Sequence, residues 1–251
     1  MKVAAITGGA GGMGLAAAQR LAADGATVVV LDRNAQASER AVAALTGSGH
    51  RGIMLDVSCE GDVATAFEQI ETKVGPVSIL ANFAGIFPWP KSGVRPRIVE
   101  TSIEEWERTF SVNALGTFMT IREMLRWRGR KPVEHGRIVN ISSSAAQIGG
   151  YNGSAAYVSS KGAILSLTKL AAREAAPLGI TVNAIAPGTI DTPLLRTVMP
   201  TEKDAAYVEK IPIARIGRPD DVVAALAYLV SVEASYVTGA CLDVNGGMRM
   251  Q

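Results

Sequence analysis

Tyr157 and Lys161 stand four residues apart in Tyr157-Val158-Ser159-Ser160-Lys161, a spacing that sets both side chains on one face of a helix. A phenol with a pKa of about 10 is a poor base at neutral pH, and a neighbouring cation would favour its phenolate. Lowering it by roughly two to three units would take about 3 to 4 kcal/mol, which Lys161 and a positively charged cofactor ring could share. Such a pair could carry a proton to and from a substrate oxygen. Tyr and Lys one turn apart are common on helix surfaces, so the context carries the reading. The pair follows the strand-like run Gly136-Arg137-Ile138-Val139-Asn140-Ile141-Ser142-Ser143, whose end should lie beside the start of the Tyr157 helix.

A second group of residues suits a phosphate. Thr7-Gly8-Gly9-Ala10-Gly11-Gly12-Met13-Gly14 joins a short apolar run to a helical pattern with Leu15, Ala18 and Leu21 facing inward. Glycines let backbone approach a pyrophosphate, and the free N–H groups and dipole of a helix start favour negative charge. A glycine-rich turn alone is also an ordinary tight turn, and Asp32 makes the difference. It closes the run Val28-Val29-Val30-Leu31-Asp32, where a carboxylate can accept hydrogen bonds from both adenosine ribose hydroxyls and would repel a 2′-phosphate. NAD is therefore expected over NADP. Arg33 is the competing signal, because a guanidinium beside that ribose could hold the phosphate. Asp32 opposes it, and Met13 supplies no second positive charge.

These groups need a scaffold that brings distant segments to one edge. Short β-branched runs are expected as strands near 2–6, 27–31, 51–55, 78–82, 136–142, 180–186 and 240–244. Helical periods lie between them near 12–24, 34–46, 60–74, 102–127, 155–176 and 219–231, the sequence form of repeated βαβ units. The expectation is an α/β, doubly wound, seven-stranded parallel sheet with helices on both faces. No Pro-, Gly- and Ser-rich linker divides the chain, so 1–251 reads as one dinucleotide-binding and catalytic domain. Two segments break the alternation, 87–93 and 193–212, and both follow carboxyl ends of strands, where such sheets bind ligands. The second is expected to be a substrate lid.

Composition narrows the partners. With 25 basic against 23 acidic side chains, a net +2, no long-range field gathers nucleic acid or an anionic membrane. A small-molecule partner is expected. The apolar start meets a glycine-rich turn too soon for a signal peptide, and no apolar run nears the roughly 18 to 20 residues of a membrane span. Cys59 and Cys241 form no C-x-x-C pair, and reduced thiols in the cytoplasm are expected. His50 and His135 are the two histidines and no G-x-S-x-G elbow occurs, which leaves a Ser-His-Asp hydrolase without support. The run Arg126-Trp127-Arg128-Gly129-Arg130-Lys131 reads as a solvated turn rather than a nucleic-acid contact.

From Val3 to Gly247 the chain resembles the short-chain dehydrogenase/reductase family, in its branch of chains near 250 residues. The family's T-G-x-x-x-G-x-G fingerprint is met by Thr7, Gly8, Gly12 and Gly14. Its adenine-contacting acidic pair looks like Asp56-Val57. Its N-N-A-G turn corresponds to Asn82-Phe83-Ala84-Gly85, with Phe83 a departure. The resemblance implies a Rossmann-type fold, an NAD-linked oxidoreductase needing no metal, and a homotetramer. It further implies Asn113, Ser143, Tyr157 and Lys161 as the catalytic tetrad, with Pro187, Gly188, Ile190 and Thr192 around the nicotinamide carboxamide. In those roles Tyr157 exchanges the substrate proton and Ser143 holds the carbonyl oxygen. Lys161 lowers the tyrosine pKa and binds ribose, and Asn113 holds a water in a relay to solvent. Arg218-Pro219, Thr238-Gly239 and Asn245-Gly246-Gly247 match the family's tail, although Asn245 usually reads as aspartate. Counting forward from Gly136 selects Ser143, and counting back from Tyr157 by the family's common spacing selects Ser144. The strand end is the firmer reference, and a loop at 149–153 can absorb the extra residue.

Phe87, Pro88, Trp89, Ile148, Tyr151, Leu194, Leu195 and Met199 are candidates for an apolar substrate pocket, which favours an apolar or ring-bearing secondary alcohol or ketone. One alternative is a 3-oxoacyl thioester or carrier-protein reductase. Members of the family with that activity generally prefer NADPH and tend to carry basic docking residues where this chain has Glu134 and Leu178. The other is an idle dinucleotide-binding sensor, which would need none of the tetrad.

Overall fold

A computed structural model describes residues 2–89, 95–150 and 153–250. Its sheet comprises β1 Val3–Thr7, β2 Thr27–Asp32, β3 Arg51–Met54, β4 Val77–Asn82, β5 Gly136–Ile141, β6 Ile180–Pro187 and β7 Cys241–Val244. The spatial order is β3-β2-β1-β4-β5-β6-β7 with every pairing parallel, so the expected doubly wound, Rossmann-like sheet is present. The winding reverses between β1 and β4, and a ligand crevice forms outside the strand ends at such a reversal. Register brings the chemistry to that edge, with Thr7 opposite Asn82 and Asn82 opposite Asn140.

Strands β1, β4, β5 and β6 are buried at every residue, because helices cover both faces. Successive side chains alternate between two cores. Ala4, Ile6, Val28 and Val30 pack under α1 (Gly12–Ala23) and α10 (Pro219–Leu229). Val3, Ala5, Val29 and Leu31 pack under α3 (Glu60–Lys73), α5 (Gly116–Arg130) and α7 (Ala155–Ala175). The remaining helices are α2 (Ala35–Ala43), α4 (Ile103–Phe110) and short turns α6 (Ala145–Ile148), α8 (Pro193–Arg196) and α9 (Asp204–Val208). No helix among the described residues is long and apolar enough to cross a membrane.

The structure departs from the sequence expectation in two places. The helix expected over 102–127 is interrupted by a π-helical turn, Ser111–Leu115, between α4 and α5. Such insertions often mark functional sites, and this one carries the fully buried Asn113. Gly116 follows because a Cβ there would stand 2.8 Å from the Val57 side chain. The basic run 126–131 is not a solvated turn. It ends α5, and Arg128 is fully buried against the equally buried Glu71, since α5 packs on α3 there. His50 lies in a loop but is buried, with Nδ1 accepting the Val28 N–H at 3.0 Å.

Glu71 Oε1 accepts from the Val77 N–H at 2.9 Å as well as pairing with Arg128. Breaking a buried pair costs more than it gains, because the surviving charge stays desolvated. Glu71→Gln is expected to lower unfolding stability by about 3 kcal/mol. Glu71→Leu combined with Arg128→Met should recover most of the loss in urea denaturation, and two additive losses would refute the coupling.

Candidate active site

Ser154 caps α7, its hydroxyl accepting the Tyr157 N–H at 3.3 Å, which fixes Tyr157 in the first turn with Lys161 one turn on. Ser143, just past β5, hydrogen-bonds the Tyr157 hydroxyl and accepts the Ala145 N–H at 3.1 Å. Ser144 also lines the cleft, its N–H donates to the Pro187 carbonyl at 2.9 Å, and it stands at the N-terminus of α6 without a side-chain capping bond. Phe87 meets the Tyr157 ring edge-on at 4.5 Å and stacks with Trp89 at 5.7 Å, walling one side of the phenol.

Lys161 Nζ donates to the Ile141 carbonyl at 2.8 Å and lies 6.0 Å from the Tyr157 ring centre. Burial pushes the Tyr157 phenol above its ordinary value, with the Ser143 hydrogen bond pulling the other way. Burial also pushes the Lys161 ammonium down to about 8. The expected lowering of the phenol by Lys161 is thus not the balance in the folded chain. Desolvation penalises both charged forms, and the ammonium points at a strand-end carbonyl rather than at the phenol oxygen. The site as folded holds a protonated phenol, poised as an acid.

Asn113 spends its amide on the chain. Oδ1 accepts the Ile86 N–H at 2.8 Å, and Nδ2 donates to the Ile86 carbonyl at 3.1 Å and to Ser160 Oγ at 3.0 Å. It thereby clamps the segment after β4 to α7. A Cβ on Gly85 would stand 3.3 Å from both Asn113 Oδ1 and Lys161 Nζ, so the bare backbone there lets the amide and the ammonium approach. Sequence reading missed Ser160 and Ser154, although Ser-x-x-Tyr is a legible helix-cap spacing.

At the other end of the crevice, Gly8 (φ +64°) packs against the Ala84 backbone, and Gly14 lies against the Gly8 carbonyl. Gly12 has φ +52°, a Cβ on Gly11 would meet nothing within 4 Å, and Gly11 leaves the start of α1 without a side-chain cap. Ala84 N–H donates to Thr7 Oγ1 at 3.2 Å. Asp32 holds the tip of β2 by accepting from Ala10 N–H at 3.4 Å and Asn34 N–H at 3.2 Å. Asp56 accepts from Ser58 at 2.9 and 2.6 Å. Those bonds, and then the charge of Arg33, hold its carboxyl below the usual range. Val57 is buried beneath it. Open helix N–H groups beside a ribose-height carboxylate fit a dinucleotide. Gly8, Gly12, Met13 and Gly14 would face its phosphates, Asp32 and Arg33 the adenosine ribose, and Asp56-Val57 the adenine.

Between these ends lies a cleft of about 230 Å³ lined by Ser143, Ser144, Tyr157, Lys161, Met13, Gly85, Pro187, Gly188, Ile190 and Thr192. Of the apolar candidates, Phe87, Trp89, Ile148, Leu194, Leu195 and Met199 line it. Pro88 is not among the lining residues, and Tyr151 lies outside the described ones. The segment 193–212 contributes three residues that sequence reading missed, Val198, Tyr207 and Lys210. Thr192 caps α8, and Arg196 pairs with Asp191 at 2.8 Å and Asp204 at 2.6 Å, clasping α8 to α9.

Residues 8–249 match the family described as enoyl-(acyl carrier protein) reductase. The chain is 34% identical to a 3-oxoacyl-(acyl-carrier-protein) reductase of Escherichia coli strain K12, over 99% of this chain and 98% of that one. It is 36% identical to an acetoacetyl-CoA reductase of Allochromatium vinosum, over 99% of each. A solved 3-oxoacyl-(acyl-carrier protein) reductase of Brucella melitensis with bound NAD superposes with a TM-score of 0.89 at 35% identity, covering 100% of this chain and 92% of that one. With the Gly-rich turn, Tyr157 and Lys161 gathered at one crevice of a doubly wound sheet, the chain belongs to the short-chain dehydrogenase/reductase family of oxidoreductases.

Proposed function

We propose that the chain is an NAD-dependent dehydrogenase acting on an apolar secondary alcohol or its ketone, with Asn113, Ser143, Tyr157 and Lys161 as its working group. The single observation that carries this is the convergence of the Ser143 and Tyr157 hydroxyls and the Lys161 ammonium on one apolar cleft. Ser143 holds the substrate oxygen and Tyr157 gives it a proton in reduction or takes one in oxidation, so that charge developing on oxygen meets fixed donors. When bound, the nicotinamide supplies the hydride donor or acceptor. Lys161 holds positive charge beside the phenol, and Asn113 steadies the segment beneath it. NAD rests on Asp32, whose carboxylate a 2′-phosphate would oppose.

We read residues 1–251 as one domain with a lid over 193–212, and Cys59 and Cys241 as cytoplasmic thiols. A homotetramer is supported by exposed apolar side chains such as Trp106, Leu115 and Phe118 along α4 and α5, which association would cover. The second reading, a 3-oxoacyl thioester reductase, is favoured by the names of the similar proteins.

Four outcomes are expected. With NAD and separately NADP, a panel of aliphatic, cyclic, aryl and steroidal alcohols plus a 3-hydroxyacyl thioester should yield NADH absorbance with one class. Tyr157→Phe should cut that rate by about 10²- to 10⁴-fold while leaving NAD binding intact. Retained turnover would remove the proposed acid/base. Asp32→Ala should weaken NAD much more than NADP in fluorescence titration; an unchanged ratio of affinities would undo the ribose assignment. Oxidation needs the Tyr157 phenolate, whose formation burial pushes to higher pH, so kcat/KM for oxidation should climb through the alkaline range. Reduction should hold at neutral pH, and a flat oxidation profile would contradict the role of the phenol.

A further inference from the structure

Among the described residues that line the catalytic cleft, the charged ones are Lys161 and Lys210, and none is a carboxylate. Lys161 is accounted for by the strand end beneath it. Lys210 is not. It follows α9 on the lid, its N–H bonded to the Tyr207 carbonyl at 3.0 Å. The next residue, Ile211, is buried and donates to the Val208 carbonyl at 3.0 Å. The backbone under Lys210 is thus pinned, and the Arg196 clasp ties α9 to α8 beside it. The Lys210 ammonium stands 6.0 Å from the Tyr207 ring, a neighbour that orients a cation without neutralising it. It forms no ion pair among the described residues, nor does Lys203, which does not line the cleft, whereas Arg196 is paired twice.

Lys210 is exposed at the mouth of the cleft, so water keeps its charge at no cost, and among the described lining residues it is the charge left free to meet an anionic group on a bound substrate. We propose that Lys210 is a specificity-determining residue that receives an oxyanion on the substrate, so that the preferred substrate is a ketone or secondary alcohol with an apolar body and an anionic end. The apolar residues Leu195 and Met199 would cover the body, and Lys210 would take the end, leaving the carbonyl to Ser143 and Tyr157. This rests on the dehydrogenase reading above and narrows its substrate class. The shared chemistry is an oxyanion, and a carboxylate and a phosphate are separate arms of the test.

Reduction rates with NADH are compared for 4-oxopentanoate, 4-oxopentyl phosphate and neutral 2-hexanone, using the parent, Lys210→Met and Lys210→Arg. The parent should favour at least one anionic ketone over 2-hexanone by about tenfold in kcat/KM, and the stronger of the two names the oxyanion. Lys210→Met should erase that ratio through KM, and Lys210→Arg should restore most of it. A parent with no anionic preference, or a ratio unmoved by Lys210→Met, overturns the proposal. An equal fall on all three ketones together with weaker NADH binding in fluorescence titration assigns Lys210 to the cofactor and overturns it too. Should no ketone react, calorimetric binding of 4-oxopentanoate decides: weaker binding to Lys210→Met upholds the anion site apart from the hydride chemistry, and equal or absent binding to parent and variant overturns it.

Discussion

The site depends on a buried chain of amides and hydroxyls that locks two helices to the centre of the sheet. Asn82 Nδ2 donates to Asn140 Oδ1 at 2.9 Å, and Asn140 Nδ2 donates to Thr168 Oγ1 on α7 at 3.0 Å. Asn82 Oδ1 in turn accepts from Thr120 Oγ1 on α5 at 2.9 Å and from Thr7 Oγ1 at 3.4 Å. Every member is buried, where an unmade hydrogen bond is costly and a complete network specifies one arrangement. The register of β1, β4 and β5 and the placement of α5 and α7 are thereby set together. Tyr157 and Lys161 ride on α7, and Asn113 stands at the head of α5, so their separation follows from this chain. Ser142 Oγ, donating to the Lys161 carbonyl at 2.8 Å, adds a second tie.

The same burial that makes the scaffold rigid sets the acid/base chemistry. Because β5 is covered on both sides and α7 packs its Lys161 face against the sheet, the phenol and the ammonium sit where either charge is penalised. Their protonation states are then governed by what hydrogen-bonds them, Ser143 for the phenol and the Ile141 carbonyl for the ammonium. A tyrosine held neutral can donate to a developing alkoxide. The crevice has two halves of different character. The α1 end is backbone, glycine and carboxylate, a lining compatible with a polar, phosphate-bearing ligand. The end lined by 193–212 is aromatic and aliphatic, with Lys210 unpaired among the described residues.

The seven strands and the principal helices are legible in the sequence because each carries its own period, and a sheet buried on both faces needs runs that are apolar throughout. The glycine-rich turn, the terminal carboxylate of β2 and the four-residue spacing of Tyr157 and Lys161 are local patterns, and the resemblance built on them holds over nearly the whole chain. By itself, then, the sequence determined the winding, the edge where the crevice opens and the motif residues gathered there, but not Ser154, Ser160, Val198, Tyr207 or Lys210.

Tertiary contacts decided the rest, because side-chain direction and burial depend on partners far away in the chain. The π turn at Asn113 exists where α5 must clear Val57, and the full burial of Arg128 depends on Glu71 from another helix. Neither partner lies within a helical period of its mate. The pointing of Lys161 toward Ile141, the turning of Ser143 rather than Ser144 to the phenol, and the arrival of Lys210 at the cleft are likewise consequences of packing. A linear pattern records which residues share a face, and only the folded chain sets what that face is pressed against.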